Sequence, residues 1–435
     1  MNQTAGIITM TKIIRQTRSV CPVCLKNLPA HLSETDGVIY LEKVCPEHGH
    51  FQVPVWRNQV DFDLWTKNAA VLAQGSGCYC IENCGLCQEH EAGSCCVLLE
   101  VTSRCNLRCK FCFADAGRNT RDPSLEELKA AISDIAAQCA EPLLQLSGGE
   151  PTLRDDLPAL IRHAKESGCG YVQLNTNGIR LAQDKEFTAQ LAEAGLDIVF
   201  LQFDGTDDTI YNTLRGEPLL DTKRRAISNC GENHIGVTLV PTVVRGVNDQ
   251  HLGEIVHFAS ELVPVVRGVH FQPVSYFGRY PNSPGQDARY TLDELMRGIS
   301  DQAGISLESY LPSRCDHPLC GFHANFLVNP DGSLHPLTSI SQACTGRSTA
   351  KQNREYVARH WRSAPSMPKP AALSDVMDFD TFLYRLRHRS LSLSAMAFQD
   401  AMNLNIERLH RCSLHVYHAG RIKPFCANYL TSMEE

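Results

Sequence analysis

Three closely spaced cysteines that follow a buried strand place the strongest constraint on this chain. Residues 96–102 are predicted as a strand, and Cys105, Cys109 and Cys112 follow it in a C-x3-C-x2-C pattern. Three thiolates at this spacing can hold three irons of a 4Fe–4S cluster and leave the fourth iron open to another molecule. The carboxyl end of a strand is where α/β sheets build their sites. A zinc knuckle or buried thiols are the alternative, although zinc sites usually use paired C-x2-C units.

The composition favours metal sites as the explanation for so many cysteines. The chain has 435 residues and 20 Cys in tight groups, whereas secreted disulfide proteins are typically small. The formal net charge of −7 argues against a general nucleic-acid binder, which needs basic surface. No stretch is apolar enough to span a bilayer, and the N-terminus lacks a secretory signal pattern. We therefore expect a cytoplasmic protein with no transmembrane segment and no nucleic-acid partner.

A first metal site is predicted near the N-terminus. Cys21-Pro-Val-Cys24 is followed by Cys45-Pro-Glu-His48, with an alternating strand pattern between the two pairs. This arrangement is typical of a zinc-ribbon or rubredoxin-like unit, predicted here over residues 18–60, with the three cysteines and the histidine as ligands. Four protein ligands leave no open position for chemistry, so we expect a structural metal, either zinc or iron.

Strands and helices alternate after the cysteine triplet, which indicates an α/β fold with a parallel sheet and crossover helices. Ser124 and Glu127 predict a capping box at the start of the first helix. Further strands are predicted at residues 143–147, 171–175, 198–203, 236–243 and 265–272.

Glycines and polar residues follow these strands, where the edge of a parallel sheet would bring them together. In Ser147-Gly-Gly-Glu-Pro151 the glycines allow close backbone approach, and the carboxylate of Glu150 can pair with an ammonium group. The other candidates at strand ends are Asn175, Asn177, Gln202, Asp204 and Thr242. Asn-Gly and Asp-Gly are also common turn sequences, so ordinary turn chemistry is the alternative.

The cysteine spacing, the aromatic Phe111 before the last cysteine and the preceding strand resemble the radical S-adenosylmethionine (radical SAM) superfamily. The Gly-Gly-Glu segment one β/α unit later resembles the part of that fold that holds the methionine amino group. The resemblance implies a partial (β/α) barrel over residues 99–305, with the cysteine triplet as cluster ligands and catalytic centre. It also implies that S-adenosylmethionine contacts Phe111, Gly148, Gly149, Glu150, Asn175, Asn177, Gln202, Asp204 and Thr242.

An ordered set of further motifs indicates which family of this superfamily the chain resembles. It includes Cys84-Gly-Leu-Cys87-Gln-Glu-His90, Val240-Pro-Thr-Val-Val-Arg-Gly-Val-Asn-Asp249 and the late Pro-Phe-Cys-Ala-Asn. Over residues 18–435 the set resembles the radical SAM family that contains archaeal tetraether lipid synthase and an enzyme described as a 7,8-dihydro-6-hydroxymethylpterin methylase. This implies reductive cleavage of S-adenosylmethionine to a 5′-deoxyadenosyl radical, followed by methylation or carbon–carbon bond formation on a pterin-like small molecule or a lipid. It also implies auxiliary clusters and a reductant such as ferredoxin or flavodoxin.

Two other cysteine groups are candidates for those auxiliary 4Fe–4S clusters. In the segment 76–98, the nearby Cys95 favours a closed cluster with Cys80, Cys84 and Cys87; an open cluster that binds a second S-adenosylmethionine is the alternative. In the region 306–435, around a predicted hairpin at Ala419-Gly420, the candidates are Cys315, Cys320, Cys412 and Cys426. Buried thiols without metal are the alternative for this second group. Cys78, Cys96 and Cys344 do not fit the family pattern, which leaves the auxiliary ligand sets open.

Two other functions are compatible with so many clusters: a peptide-modifying maturase and an iron–sulfur electron carrier. The open three-cysteine site and the Gly149-Glu150 segment argue against the carrier, because carriers close every iron with protein ligands.

Overall fold

A computed structural model describes residues 12–67, 90–117, 121–281, 284–340, 348–363 and 379–432, together with Leu86. Three cysteines predicted as auxiliary ligands lie outside these residues, namely Cys80, Cys84 and Cys87. Among the helices that the structure describes, none is long and apolar enough to cross a membrane.

The N-terminal unit is a four-stranded antiparallel sheet in the order β1-β2-β3-β4. Its strands are β1 (Lys12–Val20), β2 (Asn27–Thr35), β3 (Val38–Cys45) and β4 (Gly49–Trp56), and α1 (Phe62–Thr66) follows. Trp56 is fully buried and packs on Trp65 of α1, with ring centroids 6.1 Å apart. Asp61 caps α1, because its side chain accepts a hydrogen bond from the backbone N–H of Leu64.

The larger sheet has 13 strands and forms the predicted α/β core. Its parallel strands are, in spatial order, β15 (Ser390–Met396), β11 (Val266–Pro273), β9 (Gly236–Val240), β8 (Ile198–Gln202), β7 (Tyr171–Thr176), β6 (Leu143–Gly148), β5 (Cys96–Thr102) and β16 (Leu414–His418). Antiparallel strands extend both edges: β12 (Leu311–Pro312), β13 (Gly321–Val328) and β14 (Leu334–Pro336) at one, β17 (Arg421–Pro424) at the other. The short β10 (Thr242–Val243) pairs with β11 alone. Since no described strand joins β12 to β17, the sheet is an open, partial barrel.

Helices connect the parallel strands and cover the sheet. They are α2 (Leu125–Gln138), α3 (Leu157–Glu166), α4 (Ile179–Gln183), α5 (Lys185–Glu193), α6 (Asp208–Arg215), α7 (Leu220–Glu232), α8 (Leu252–Glu261), α9 (Leu292–Ala303), α10 (Ala350–Trp361), α11 (Phe379–His388), α12 (Ile406–His410) and α13 (Phe425–Asn428). The predicted capping box is present at the start of α2. The Glu127 N–H donates to Ser124 Oγ (3.2 Å), and the Ser124 N–H donates to the Glu127 carboxylate (2.7 Å).

The single strand predicted over residues 236–243 is wrong, because the structure divides it into β9 and β10. Pro241 lies between them and has no N–H to donate to a strand ladder. Its carbonyl still accepts a hydrogen bond from Gln272 N–H (2.9 Å), so the chain stays close to β11. Thr242 therefore pairs only with β11, beyond the end of the β8–β9 ladder.

The C-terminal region contributes directly to the sheet of the core. The predicted hairpin is confirmed: β16 and β17 flank Ala419 and Gly420, whose φ angles are both positive. β16 pairs in parallel with β5, and β15 pairs in parallel with β11. The predicted boundary between residues 305 and 306 therefore does not separate two sheets.

Lys43 connects the N-terminal sheet to the C-terminal region. Its side chain is buried, and Nζ donates to Ser19 Oγ (2.9 Å) and to the carbonyls of Ala401 (2.9 Å) and Met402 (2.7 Å). Burial lowers the pKa of Lys43 to about 7. A side chain that bridges two regions in this way contributes to both their stability and their relative position.

We expect the Lys43→Met variant to be less stable by about 2–3 kcal/mol, because two backbone carbonyls lose a buried donor. The midpoint of urea unfolding, followed by the fluorescence of the buried Trp56, measures the loss. Lys26→Met is the matched control, since the Lys26 side chain is 61% exposed and its ion pair within the described residues is with a surface glutamate. Equal losses in the two variants would contradict a bridging role for Lys43.

Candidate active site

The loop after β5 brings the three predicted cluster cysteines to one end of the sheet. Cys105, Cys109 and Cys112 line the same cavity of about 310 Å³, at the carboxyl ends of the parallel strands. Burial raises the pKa of the Cys105 thiol to about 11, and the negative charge of Glu150 adds to this effect. Burial also raises the pKa of Cys112. Thiols with pKa values raised in this way, as at Cys105 and Cys112, need a positively charged metal centre to hold them as thiolates at neutral pH.

Backbone contacts from the segment after β11 hold this loop in place. Cys112 and Arg279 exchange two N–H to carbonyl hydrogen bonds, each 2.9 Å long. The Arg279 side chain donates to the carbonyls of Cys109 (3.0 Å) and Ala116 (2.9 Å). Gly278 has a φ of +64°, and a Cβ there would lie 2.4 Å from the Cys112 carbonyl oxygen. These contacts use backbone groups of the loop, so they do not occupy the cysteine Sγ atoms.

The Gly-Gly-Glu segment at the end of β6 packs against the start of the same loop. A Cβ on Gly149 would lie only 2.1 Å from the carbonyl oxygen of Arg104. The N–H groups of Gly149 and Glu150 donate to the carbonyls of Thr102 and Arg104, each at 2.8 Å. The close approach that these glycines were predicted to allow is thus an approach to the cysteine loop. Direct contact between Gly149 and a cofactor stays a prediction.

Glu150 is a buried carboxylate held by uncharged donors. It accepts hydrogen bonds from Thr152 N–H (3.1 Å), Thr152 Oγ1 (2.6 Å), Thr176 Oγ1 (2.7 Å) and Asn177 N–H (2.7 Å). Among the described residues no Lys, Arg or His forms an ion pair with it. A buried carboxylate that forms no ion pair with the described residues is suited to bind a cationic group of a ligand.

Most of the other predicted cofactor contacts also reach the cavity. Asn177 donates through Nδ2 to Asn106 of the cysteine loop (2.7 Å), and the Gln202 amide lies 3.9 Å from Cys109 Sγ. Asn175 Oδ1 is buried without a hydrogen-bond partner among the described residues. The predicted cofactor contacts that line the cavity are Phe111, Gly148, Gly149, Glu150, Asn175, Asn177, Gln202 and Thr242.

Asp204 differs from these residues, because the structure places it behind the cavity wall. Its fully buried carboxylate forms a bidentate pair with Arg215, at 2.7 and 2.6 Å. Arg215 also donates to Thr242 Oγ1 (3.1 Å) and lines the cavity. Asp204 therefore orients Arg215 and Thr242, and no free carboxylate oxygen faces a ligand. The sequence carries no local signal for Arg215, which lies at the end of an amphipathic helix.

The cavity extends from the cysteine loop into the interior of the partial barrel. Helix α10 closes the far end, where Asn353 Nδ2 donates to Cys95 Sγ (3.0 Å) and Trp361 packs on Phe200. Sequence reasoning missed the interior residues, because their side chains resemble ordinary strand and helix positions. These residues include Gln145, Gln173, Asn353 and Trp361.

The four predicted ligands of the N-terminal sheet converge on one point. Cys21, Cys24, Cys45 and His48 have ligand atoms that all lie within 4.8 Å of one another. Burial acts to raise the pKa of Cys45, but hydrogen bonds, chiefly from His48, outweigh it and lower the pKa to about 6. Three sulfurs and one imidazole nitrogen at this separation fit a tetrahedral metal.

The four cysteines predicted as the C-terminal auxiliary group are buried or half-buried. Burial raises the pKa of Cys412 strongly, and the charges of Asp316, Cys426 and Cys320 add to this effect. Cys315 Sγ lies 3.3 Å from Ser413 Oγ, next to Cys412, and the Cys95 N–H donates to the Ser413 carbonyl (2.9 Å). Cys95 and Cys315 therefore both approach the segment that contains Cys412, and the division of ligands between the two predicted groups stays a prediction.

The fold and these sites define a class of enzyme. A model of the radical SAM superfamily matches residues 99–259, and a model described as the HMPTM N-terminal zinc ribbon domain matches residues 13–57. The chain is therefore a radical SAM enzyme with an N-terminal zinc ribbon. This class uses a 4Fe–4S cluster and S-adenosylmethionine, and the converging thiols and the unpaired Glu150 carboxylate fit these two groups.

The particular family follows from a relative of nearly the same length. The 7,8-dihydro-6-hydroxymethylpterin dimethyltransferase of Methanocaldococcus jannaschii is 33% identical over 473 aligned positions, covering 95% of this chain and 92% of that protein. This chain belongs to the same family. Fe-coproporphyrin III synthase of Methanosarcina barkeri is 38% identical over 162 positions, 37% of this chain and 38% of that protein. A structure of Streptococcus suis SuiB has a TM-score of 0.41 and 18% identity, covering 48% of this chain and 46% of that chain.

We expect Gly149→Ala to lower turnover roughly 100-fold, because the new methyl group would displace the cysteine loop from Glu150. Steady-state rates of S-adenosylmethionine cleavage by the reduced enzyme test this. Gly285→Ala is the matched control, since a Cβ there meets no atom within 4 Å. A Gly149→Ala variant with the turnover of this control would show that the contact is dispensable.

Removal of a zinc-ribbon ligand should release one metal ion per chain. We expect Cys24→Ser to lose one equivalent of zinc or iron while its acid-labile sulfide stays constant, because the ribbon metal has no sulfide of its own. Elemental analysis of the purified protein measures both quantities and identifies the metal. Cys139→Ser, at the end of α2, is the control and should retain full metal content.

Proposed function

We propose that this enzyme methylates a reduced pterin, namely 7,8-dihydro-6-hydroxymethylpterin or a close derivative. The observation that carries this proposal is the similarity to the M. jannaschii pterin dimethyltransferase, which extends over both chains almost completely. It includes the zinc ribbon, the radical SAM core and the C-terminal strands that enter the same sheet. Similarity that covers every unit of the enzyme supports a shared substrate class better than similarity within the core alone.

Each group at the cavity has a role in this proposal. Cys105, Cys109 and Cys112 hold the open cluster, and Glu150 binds the amino group of S-adenosylmethionine. When bound, the cluster and S-adenosylmethionine supply an organic radical that can remove hydrogen from an unactivated carbon. Asn175, Asn177, Gln202 and Thr242 hold the ribose and adenine side of the cofactor. Arg215, which is held by the Asp204 carboxylate, keeps this part of the cavity wall in position.

The protein also controls access to this chemistry. The site lies in a cavity lined by the sheet, the cysteine loop and α10. A recessed site limits contact with water and keeps a reactive group close to its target carbon. Glu150 and the glycine segment hold the cofactor at a defined distance from the cluster cysteines, because backbone hydrogen bonds join the two segments.

We also propose auxiliary 4Fe–4S clusters in the segments 76–98 and 306–435. Cys95 is buried at the inner end of the cavity and would complete a cluster with Cys80, Cys84 and Cys87. Cys315 Sγ lies 3.3 Å from Ser413 Oγ, next to Cys412, which supports a second cluster with Cys315, Cys320, Cys412 and Cys426 as its candidate ligands. Such clusters would pass electrons from a ferredoxin or flavodoxin towards the active site.

We expect Cys105→Ala to abolish the formation of 5′-deoxyadenosine, because two cysteines cannot hold the open cluster in place. The measurement uses reconstituted, chemically reduced enzyme with S-adenosylmethionine and the dihydropterin, and detects 5′-deoxyadenosine and methylated pterin by mass spectrometry. Isotopic label in the methyl group of S-adenosylmethionine shows whether that group enters the product. Cys230→Ala, a buried thiol in α7, is the control and should keep wild-type activity. Cofactor cleavage by wild type without any methylated pterin would refute the pterin substrate.

A further inference from the structure

A pair of glutamine side chains lines the inner part of the cavity. Gln145 of β6 and Gln173 of β7 are direct neighbours in the parallel ladder, and both line the cavity. Gln173 Nε2 donates to Gln145 Oε1 (3.1 Å), and Cys96 Sγ donates to the same oxygen (3.2 Å). These two donors fix the orientation of the Gln145 amide, so its Nε2 is directed away from them.

Within this glutamine pair, the acceptor Gln173 Oε1 and the donor Gln145 Nε2 remain unused. Gln173 is 1% exposed, and its Oε1 has no hydrogen-bond partner among the described residues. Gln145 Nε2 likewise donates no hydrogen bond to the part of the chain that the structure describes. A buried amide oxygen without a partner is costly, so Gln173 Oε1 beside the unused Gln145 Nε2 indicates a polar ligand.

The pair lies deeper in the barrel than the cofactor contacts. Ser147 and Asn175 are two residues closer to the carboxyl ends of the same strands, and Asn175 Nδ2 donates to Ser147 Oγ (3.3 Å). Two residues along a strand correspond to roughly 6.6 Å. The glutamines are therefore separated by one layer of side chains from the layer that holds Glu150 and the cysteine loop.

An aromatic wall faces the same inner space. The rings of Phe200, His270 and Trp361 contact one another, with centroid separations of 5.4, 5.0 and 5.7 Å. Burial lowers the pKa of His270 to about 4, so its ring is uncharged at neutral pH. Its Nδ1 is hydrogen-bonded to Ser394 Oγ (2.9 Å). In the β7–β8 ladder Phe200 pairs with Asn175, so the wall begins one layer of side chains nearer the carboxyl ends than the glutamines. An uncharged aromatic surface there suits the remainder of a planar, polar heterocycle whose edge reaches the amides.

We propose that Gln145 and Gln173 recognise the 2-amino-4-oxopyrimidine edge of the pterin, whose ring packs against Phe200, His270 and Trp361. This inference deepens the proposed function and rests on it. The pterin edge presents an N3–H donor next to an O4 acceptor. Gln173 Oε1 accepts from N3–H, and Gln145 Nε2 donates to O4, as glutamine amides do with the edges of nucleobases. The pyrazine ring then points towards the cysteine loop.

A ligand in which this edge is reversed tests the proposal without any variant. In the 2,4-diamino analogue, N3 is an acceptor and the 4-amino group is a donor. We expect the anaerobic holoenzyme to bind the natural dihydropterin about 10- to 100-fold more tightly than this analogue, as measured by fluorescence titration. Equal affinities would overturn the proposal.

Variants test whether the two glutamines cause the preference for the natural dihydropterin over the diamino analogue. We expect Gln173→Leu and Gln145→Leu each to weaken binding of the dihydropterin about 10-fold or more and to abolish the preference over the diamino analogue. Gln190→Leu, the same change on the exposed face of α5, should retain the preference. Because the readout is a ratio of two affinities in one preparation, partial loss of folded protein does not imitate the result.

The outcomes also separate this inference from the proposed function. If wild type methylates the dihydropterin and both leucine variants keep the preference, the subsite is wrong and the activity stands. If wild type neither binds nor methylates the dihydropterin, the proposed function fails, and the subsite loses its ligand with it.

Discussion

The close backbone contact between the end of β6 and the cysteine loop is the constraint on which the active site depends. Two hydrogen bonds of 2.8 Å join Gly149 and Glu150 to the carbonyls of Thr102 and Arg104. Only glycine permits this approach, because any Cβ on Gly149 would overlap with the Arg104 carbonyl. The contact ties the proposed cluster ligand Cys105 and the carboxylate of Glu150 to one rigid frame. The distance between cluster and cofactor is thereby set by main-chain geometry and not by flexible side chains.

Buried charges behind the cavity wall support this frame. Arg215 and Asp204 form a nearly inaccessible pair, and Lys223 Nζ donates to the Asn177 carbonyl (2.5 Å). Each charge has partners, which buried charges require to offset their desolvation. Burial lowers the pKa of Lys223 to about 8, while the charge of Asp204 opposes that effect. Arg215 lines the cavity itself, and these groups also hold other residues of its wall, such as Asn177 and Thr242.

Much of the local structure was predictable, since it depends on neighbours in sequence. The capping box at Ser124, the strand before Cys105 and the turn at Ala419-Gly420 all follow from short patterns. The four ribbon ligands were predictable because each Cys pair lies in a tight loop and the strands between them form hairpins. By contrast, Pro241 divides one predicted strand into two. The carboxylate of Asp204 is bound by Arg215 and does not face the cavity. Both differences arise from contacts between segments that are far apart in the sequence.

The sequence by itself determined the class of chemistry, because cluster ligands and turn glycines must be particular residue types at particular spacings. The C-x3-C-x2-C run and Gly-Gly-Glu are of this kind. Only the tertiary structure decided which interior residues face one another, since any strand position can point inward and its type alone does not say so. The pairing of Gln145 with Gln173 exists because β6 and β7 lie side by side in register. Its place in a cavity that α10 also lines depends on how the whole sheet curls around that cavity.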